Sequence, residues 1–159
     1  LLNYAEAKAE LGQLIQADVD LSINKLRQRV GMPSLVLSTI ETDPAWPDYG
    51  YSLPGYRYEI RRERIVELYS EGHRLNDLMR WRAHKLLVGK RPTGAYYTNE
   101  LKTVNSKLVA NSSGYLDPYS GILTGTNGDW GFNPDKHYLM PLPTNELTLN
   151  TKLKQNPGW

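Results

Sequence analysis

The chain has 159 residues, enough for one domain with a core of its own, and its 40% apolar and 23% charged residues exclude a disordered composition. A formal charge of +2, from 19 basic and 17 acidic residues, is too balanced for nucleic-acid binding by bulk charge. The chain has no Cys, which removes disulfides, Cys-ligated zinc and thiol chemistry, and no apolar run approaches the roughly 18 residues of a transmembrane helix.

Residues 1–15 predict a helix rich in Ala, Glu, Lys and Leu, on which Leu11, Leu14 and Ile15 share a face with Tyr4 and Ala7. Neither a basic start nor an apolar stretch marks a signal peptide, so the chain is expected to be part of a longer one, any targeting segment lying upstream. A second helix is predicted from about Asp20 to Val30. Asp18 or Asp20 caps its first amides, and Gly31 with Pro33 stops it. Two short helices cannot bury their apolar faces on each other alone. Residues 32–57 carry Pro33, Pro44, Pro47 and Pro54, which forbid a long helix, and gather Trp46, Tyr49, Tyr51 and Tyr56 in one loop.

The strongest periodicity runs over 58–88. Ile65, Leu68, Tyr69 and Gly72 are spaced i, i+3, i+4, i+7, and Leu75, Leu78, Met79 and Leu86 continue the stripe. Gly72 falls inside the pattern and predicts a bend or two abutting helices. On the other face Glu59 reaches Arg62, and Arg64 reaches Glu67 and Glu71. Residues 89–137 are polar and rich in Gly, Asn, Ser and Pro, which predicts a long irregular excursion with at most a short helix near 99–109. Residues 138–149 predict an extended stretch and then a turn of helix at Thr144–Leu149, with Thr144 as its cap.

Candidate chemistry is sparse. His73, His84 and His137 have no paired ligand spacing, and Asn127-Gly128-Asp129 lacks the spaced oxygens and closing Glu of a calcium loop, so a plain turn is the better reading. Glu59, Glu63, Glu67 and Glu71 offer carboxylate pairs, but each has an Arg within reach that keeps it ionised, whereas a general acid needs a raised pKa. Residues 59–91 hold nine Lys or Arg against five Asp or Glu, interleaved, which suits an ion-pair network around a buried helix better than a nucleic-acid surface. Eleven Tyr and four Trp stand against one Phe. Such rings, each flat with a polar handle, suit half-exposed surfaces that stack on sugars or dock peptides.

The run from Glu59 to Trp81 resembles the signature helix pair of the SusD/RagB family, which has Arg, Glu-Arg, Glu-Leu, Glu-Gly-His-Arg, Asp-Leu and Arg-Trp in this order. Here these are Arg61, Glu63, Arg64, Glu67, Leu68, Glu71, Gly72, His73, Arg74, Asp77, Leu78, Arg80 and Trp81. Leu26 to Pro33 resembles the family's Arg-x-Arg-Ala-Gly-Met-Pro stretch, with Val30 for the usual Ala. Tyr138 to Leu147 resembles its Tyr-Leu-Leu-Pro-Ile-Pro segment, and Gln155-Asn-Pro-Gly-Trp159 its carboxyl terminus.

The resemblance implies a mainly α, SusD-like, tetratricopeptide-containing fold, of which residues 1–159 are the C-terminal region, with long irregular loops and little β. Within it, 1–31 would be a helical hairpin packing on upstream helices, 58–88 the signature pair, 89–137 an irregular excursion and 138–159 the C-terminal segment. It implies a non-catalytic protein without cofactor or metal, lipid-anchored upstream of this region on the outer face of the outer membrane. Such a protein binds oligosaccharide or polysaccharide for a SusC-like TonB-dependent transporter and does not bind nucleic acid. Peptide capture and a structural transporter lid are the alternatives. The signature residues read as scaffold. Trp46, Tyr49 and Trp130 are the expected stacking rings, with Asp48, Arg57 and Asn127 as hydroxyl contacts.

Overall fold

The computed structural model describes residues 1–105, 107–123 and 129–159. Among them are seven α-helices: α1 Leu2–Glu10, α2 Gln16–Leu21, α3 Ile23–Arg29, α4 Gly55–Glu67, α5 Arg74–Arg80, α6 Asn99–Val104 and α7 Thr144–Leu149. Short 3-10 turns lie at Leu37–Thr39 and His84–Leu86. The described residues include no strand, and β structure is limited to two isolated antiparallel bridges, Tyr96 with Tyr115 and Ala110 with Leu116. The fold is mainly α. It divides into two compact units, Leu1–Trp81 and Arg82–Trp159.

In the first unit α1 is shorter than its composition predicts. Gly12 takes a φ of 67°, a left-handed conformation that glycine adopts without steric cost. The Gly12 amide then donates to Ala9 O at 3.1 Å and the Gln13 amide to Lys8 O at 2.9 Å, so both terminal carbonyls are satisfied and the helix stops. The buried face also differs from the expected one. Leu2, Ala5, Glu6 and Ala9 are buried, whereas Leu11 and Ile15 are 69% and 60% exposed. Ala5 and Ala9 leave room for α4 to lie close, and Ile60 of α4 fills the space with Val19, Ile23 and Leu35. Fully burying one such aliphatic side chain contributes about 1.5–3 kcal/mol.

The single helix expected from Asp20 to Val30 is two. Ser22, fully buried, breaks the helical dihedrals with φ −124° and ψ −86°, and its hydroxyl donates to Asp18 O at 2.5 Å. A Ser that bonds back to the preceding turn competes with the helical ladder. Asp18 does act at a helix start, but from the third helical position of α2, accepting from the Ile15 amide at 3.2 Å. Gly31, at φ 72°, closes α3. Between α4 and α5 the chain reverses through Ser70 and Gly72, at φ 63° and 79°, where the bend was expected. Tyr69 and Leu75, assigned to the core stripe, are 81% and 62% exposed because this reversal ends the α4 register before they reach the core.

The second unit has short helices and long irregular segments. Thr98 caps α6, accepting from the Leu101 amide at 3.4 Å. The cap of α7 is Pro143; Thr144 is the first helical residue, since the preceding proline is already extended at φ −57° and ψ 135°. The C-terminal residues clamp the 139–142 stretch. Gln155 Oε1 accepts from the Leu142 amide at 2.8 Å, its Nε2 donates to Leu142 O at 3.0 Å, and Asn156 Nδ2 donates to Met140 O at 2.6 Å. Trp159 Nε1 donates to Leu139 O at 3.0 Å. Side-chain amides thus do the work of a missing partner strand, pairing an extended backbone that would otherwise be bare.

Candidate functional site

Three side-chain constellations, two of them polar, converge on α4. At the first, Arg64 is 5% exposed. It donates from Nε and Nη2 to the two oxygens of Asp77 at 3.1 and 3.0 Å and from Nη1 to Asn3 Oδ1 at 2.8 Å. Asp77 also accepts from Arg80 at 2.7 Å. Glu6 accepts from Arg80 at 2.9 Å and from Trp81 Nε1 at 2.5 Å. Burial pushes the Asp77 carboxyl up, but hydrogen bonds from Arg64 and Arg80 outweigh it and hold the group below its ordinary range. Glu6 is the member sequence reasoning missed. Its signal was present: a carboxylate between Ala5 and Ala9 on a face that is otherwise apolar requires a partner.

At the second, Arg27 grips Glu63 at 2.5 Å and Arg29 lies 2.8 Å from Glu67. Arg62 bridges Asp43 at 2.5 Å and Glu59 at 3.4 Å. Glu59, Glu63 and Glu67 are therefore all engaged with guanidinium groups. Arg64, expected to reach Glu67 and Glu71, turns inward to Asp77 instead because α5 folds back over α4. The other signature residues make turns and ring contacts: Glu71 and Gly72 lie in the reversal, His73 precedes the first residue of α5, and the Arg74 guanidinium sits 5.9 Å from the Trp81 ring.

The third constellation is aromatic. Trp46 stacks on Tyr58 with centroids 4.5 Å apart and donates from Nε1 to Glu59 at 2.9 Å. Tyr49 meets Tyr58 at 5.8 Å and Trp81 edge-on at 6.0 Å. The Arg61 guanidinium lies against both the Tyr49 and Trp81 rings, 4.7 and 4.6 Å from their centroids, and donates to Tyr51 Oη at 3.0 Å. The Tyr51 hydroxyl donates in turn to Trp81 O.

The expected ligand residues do not come together. Tyr49 is 1% exposed and has no open face for a sugar, because Arg61 and the rings of Tyr51, Tyr58 and Trp81 occupy its surroundings. Trp46 is half-buried with one face covered by Tyr58. Arg57 donates to Ala9 O and Glu10 O at 3.2 and 3.1 Å and pairs with Glu10 at 3.2 Å, so it satisfies the end of α1. Asp48 is exposed and folds its own turn, accepting from the Gly50 amide at 2.8 Å. Asn127 lies outside the described residues. Trp130, in the second unit, is 51% exposed and sits 6.1 Å from the Tyr119 ring, itself 36% exposed. Asp129 beside it accepts from the Gly131 amide at 2.8 Å and from the Gly89 amide, and these bonds hold its carboxyl below the usual range.

No group of three or more His, Asp or Glu among the described residues is placed to hold a metal ion. Nor is any helix among them long and apolar enough to cross a membrane.

The model of the SusD family matches residues 1–159. The chain belongs to the SusD family. No curated protein and no solved structure matches it. SusD-family proteins are generally non-catalytic and bind nutrients at the cell surface. In this SusD-family chain some signature residues lie in the interior of the first unit, with Arg61, Arg64, Asp77 and Leu78 buried and Trp81 4% exposed, whereas Glu71, Gly72, His73, Arg74 and Arg80 are exposed.

Proposed function

We propose that the protein is a non-catalytic, lipid-anchored protein of the outer membrane's extracellular face. It captures oligosaccharides and passes them to a SusC-like TonB-dependent transporter. The observation that carries this reading is the family match over residues 1–159. The exposed Trp130 and Tyr119 support it, since a half-exposed ring pair can stack on the apolar face of a pyranose. Trp130 is the proposed stacking ring, and Trp46 and Tyr49 serve the scaffold.

Shallow sugar sites ordinarily bind with millimolar to micromolar affinity, about 4 to 8 kcal/mol. Calorimetric titration of the intact protein against a panel of oligosaccharides and a peptide mixture tests the reading. Saturable heat with one glycan class is the expected result. Trp130→Ala is expected to weaken that binding by about 0.5–1.5 kcal/mol, roughly two- to tenfold. Heat with peptides alone would transfer the function to peptide capture. Unchanged glycan affinity in Trp130→Ala would displace the site and leave the function standing.

A further inference from the structure

A second polar feature lies in the first unit, beside the ion pairs that Arg27 makes with Glu63 and Arg62 makes with Asp43 and Glu59. Between α3, α4 and the 34–43 stretch there is a hollow of about 250 Å³, walled by Arg27, Thr39, Glu41, Asp43, Glu59 and Arg62. Leu35, Val36 and Ile40 supply an apolar portion of its lining.

The hollow is held in shape from behind. Asn24 Oδ1 accepts from the Leu35 amide at 2.7 Å, and its Nδ2 donates to Leu35 O at 3.1 Å. Gln16 donates to Leu35 O and accepts from the Leu37 amide, each at 2.9 Å. Two amide side chains therefore fix a loop backbone that has no strand or helix to pair with. On the opposite wall Glu59 is 8% exposed and fixed by Trp46 Nε1 at 2.9 Å. Both walls are set before any ligand arrives, which spares the ordering cost of binding.

Its charge selects the ligand class. Three carboxylates, Glu41, Asp43 and Glu59, face two guanidinium groups, Arg27 and Arg62, and Arg27 is already committed to Glu63 at 2.5 Å. An anion such as phosphate would meet the carboxylates. A cation would meet Arg62, which is tied to both Asp43 and Glu59. A neutral molecule with hydroxyl groups meets neither obstacle. Each hydroxyl can donate to a carboxylate and accept from a guanidinium, while C–H groups lie on the apolar lining. Glu41 is exposed and forms no ion pair among the described residues, so its oxygens are available at the mouth. The volume is below the roughly 300–1,000 Å³ of pockets for drug-sized ligands, which suits one ring rather than a chain.

We infer that this hollow is a subsite for a single neutral sugar ring, separate from the Trp130 surface; the inference rests on the glycan-capture reading. The test is calorimetric titration of the intact protein with the oligosaccharide panel and with neutral monosaccharides, repeated on Glu41→Ala and Thr39→Trp. Glu41→Ala removes one free acceptor without touching an ion pair. Its expected effect is a loss of about two- to tenfold in affinity, the worth of one hydrogen bond. Thr39→Trp fills the hollow and is expected to weaken binding by about tenfold or more. Melting curves report whether each variant folds, and Glu41→Ala decides the matter if Thr39→Trp does not. Wild-type binding with both folded variants within about twofold of it would remove the subsite and leave glycan capture intact. A wild-type protein that binds no sugar in the panel would overturn both.

Discussion

The two units of the chain solve the same problem by different means. Residues 1–81 bury Leu2, Ala5, Ala9, Val19, Ile23 and Ile60 and then set charge inside, with Glu6, Arg64 and Asp77 each no more than 6% exposed. Residues 82–159 bury little that is apolar among the described positions. There the buried polar groups are Asp117, bidentate to Arg91, and Asp129, accepting from two glycine amides. Asn111, Asn133, Asn150 and Gln155 each accept from backbone amides in the same unit. The first unit is packed and the second is pinned. A packed unit shares its losses among many neighbours, whereas a pinned one loses one segment at a time.

The comparison breaks most sharply at Asp77. Asp77→Ala leaves Arg64 buried without its bidentate partner, and the expected loss is about 3–5 kcal/mol, read by urea denaturation. A loss below about 1 kcal/mol, the range of a surface pair, would mean that the buried charges are incidental. Ile60→Ala in the same core should cost about 2–5 kcal/mol and lower hydrogen-exchange protection across α1, α2 and α4 together. Gln155→Ala should cost about 1–3 kcal/mol, with lost protection confined to residues 139–156; protection lost throughout the first unit would show that the pinned unit is not locally stable. Acid sharpens the contrast least, because both units carry a depressed carboxyl. Asp77 and Asp129 lie below their unfolded value of about 3.9. Their stabilisation is therefore complete above that value and lost as the pH falls through the folded values. Asp77→Asn should flatten the part of the acid transition reported by the first unit and leave exchange around Gly89 and Gly131 unchanged.

Legibility in the sequence follows the same division. The bend at Gly72 was readable because a glycine inside a periodic stretch is a local signal, whereas the helices on either side run over Gly55–Glu67 and Arg74–Arg80 rather than through 58–88. The inward turn of Arg64 was not, because its partners Glu6 and Asp77 are 58 and 13 positions away and no local spacing names them. The break at Ser22 carries no marker beyond a hydroxyl that many helices tolerate. Trp46 and Tyr49 were placed on a surface because they fall in a proline-rich loop. A loop's composition does not say which side of it faces α4, and here Tyr58, Arg61 and Trp81 take those rings. Trp130, in an equally irregular stretch, stays half in solvent. The hollow beside Thr39 could not be read at all, since its walls come from three separate segments.

Arg61 shows what kind of demand the interior makes of a single position. Its guanidinium fills the corner that Tyr49 and Trp81 make by meeting edge-on at 85°. What the corner requires is a flat cation that can also donate in its own plane, as Arg61 does to Tyr51 Oη at 3.0 Å. A lysine would carry the same positive charge as a tetrahedral knob on a flexible stem, with no flat surface to offer either ring. Position 61 is thus chosen for shape, and only one of the two common cationic residues has it.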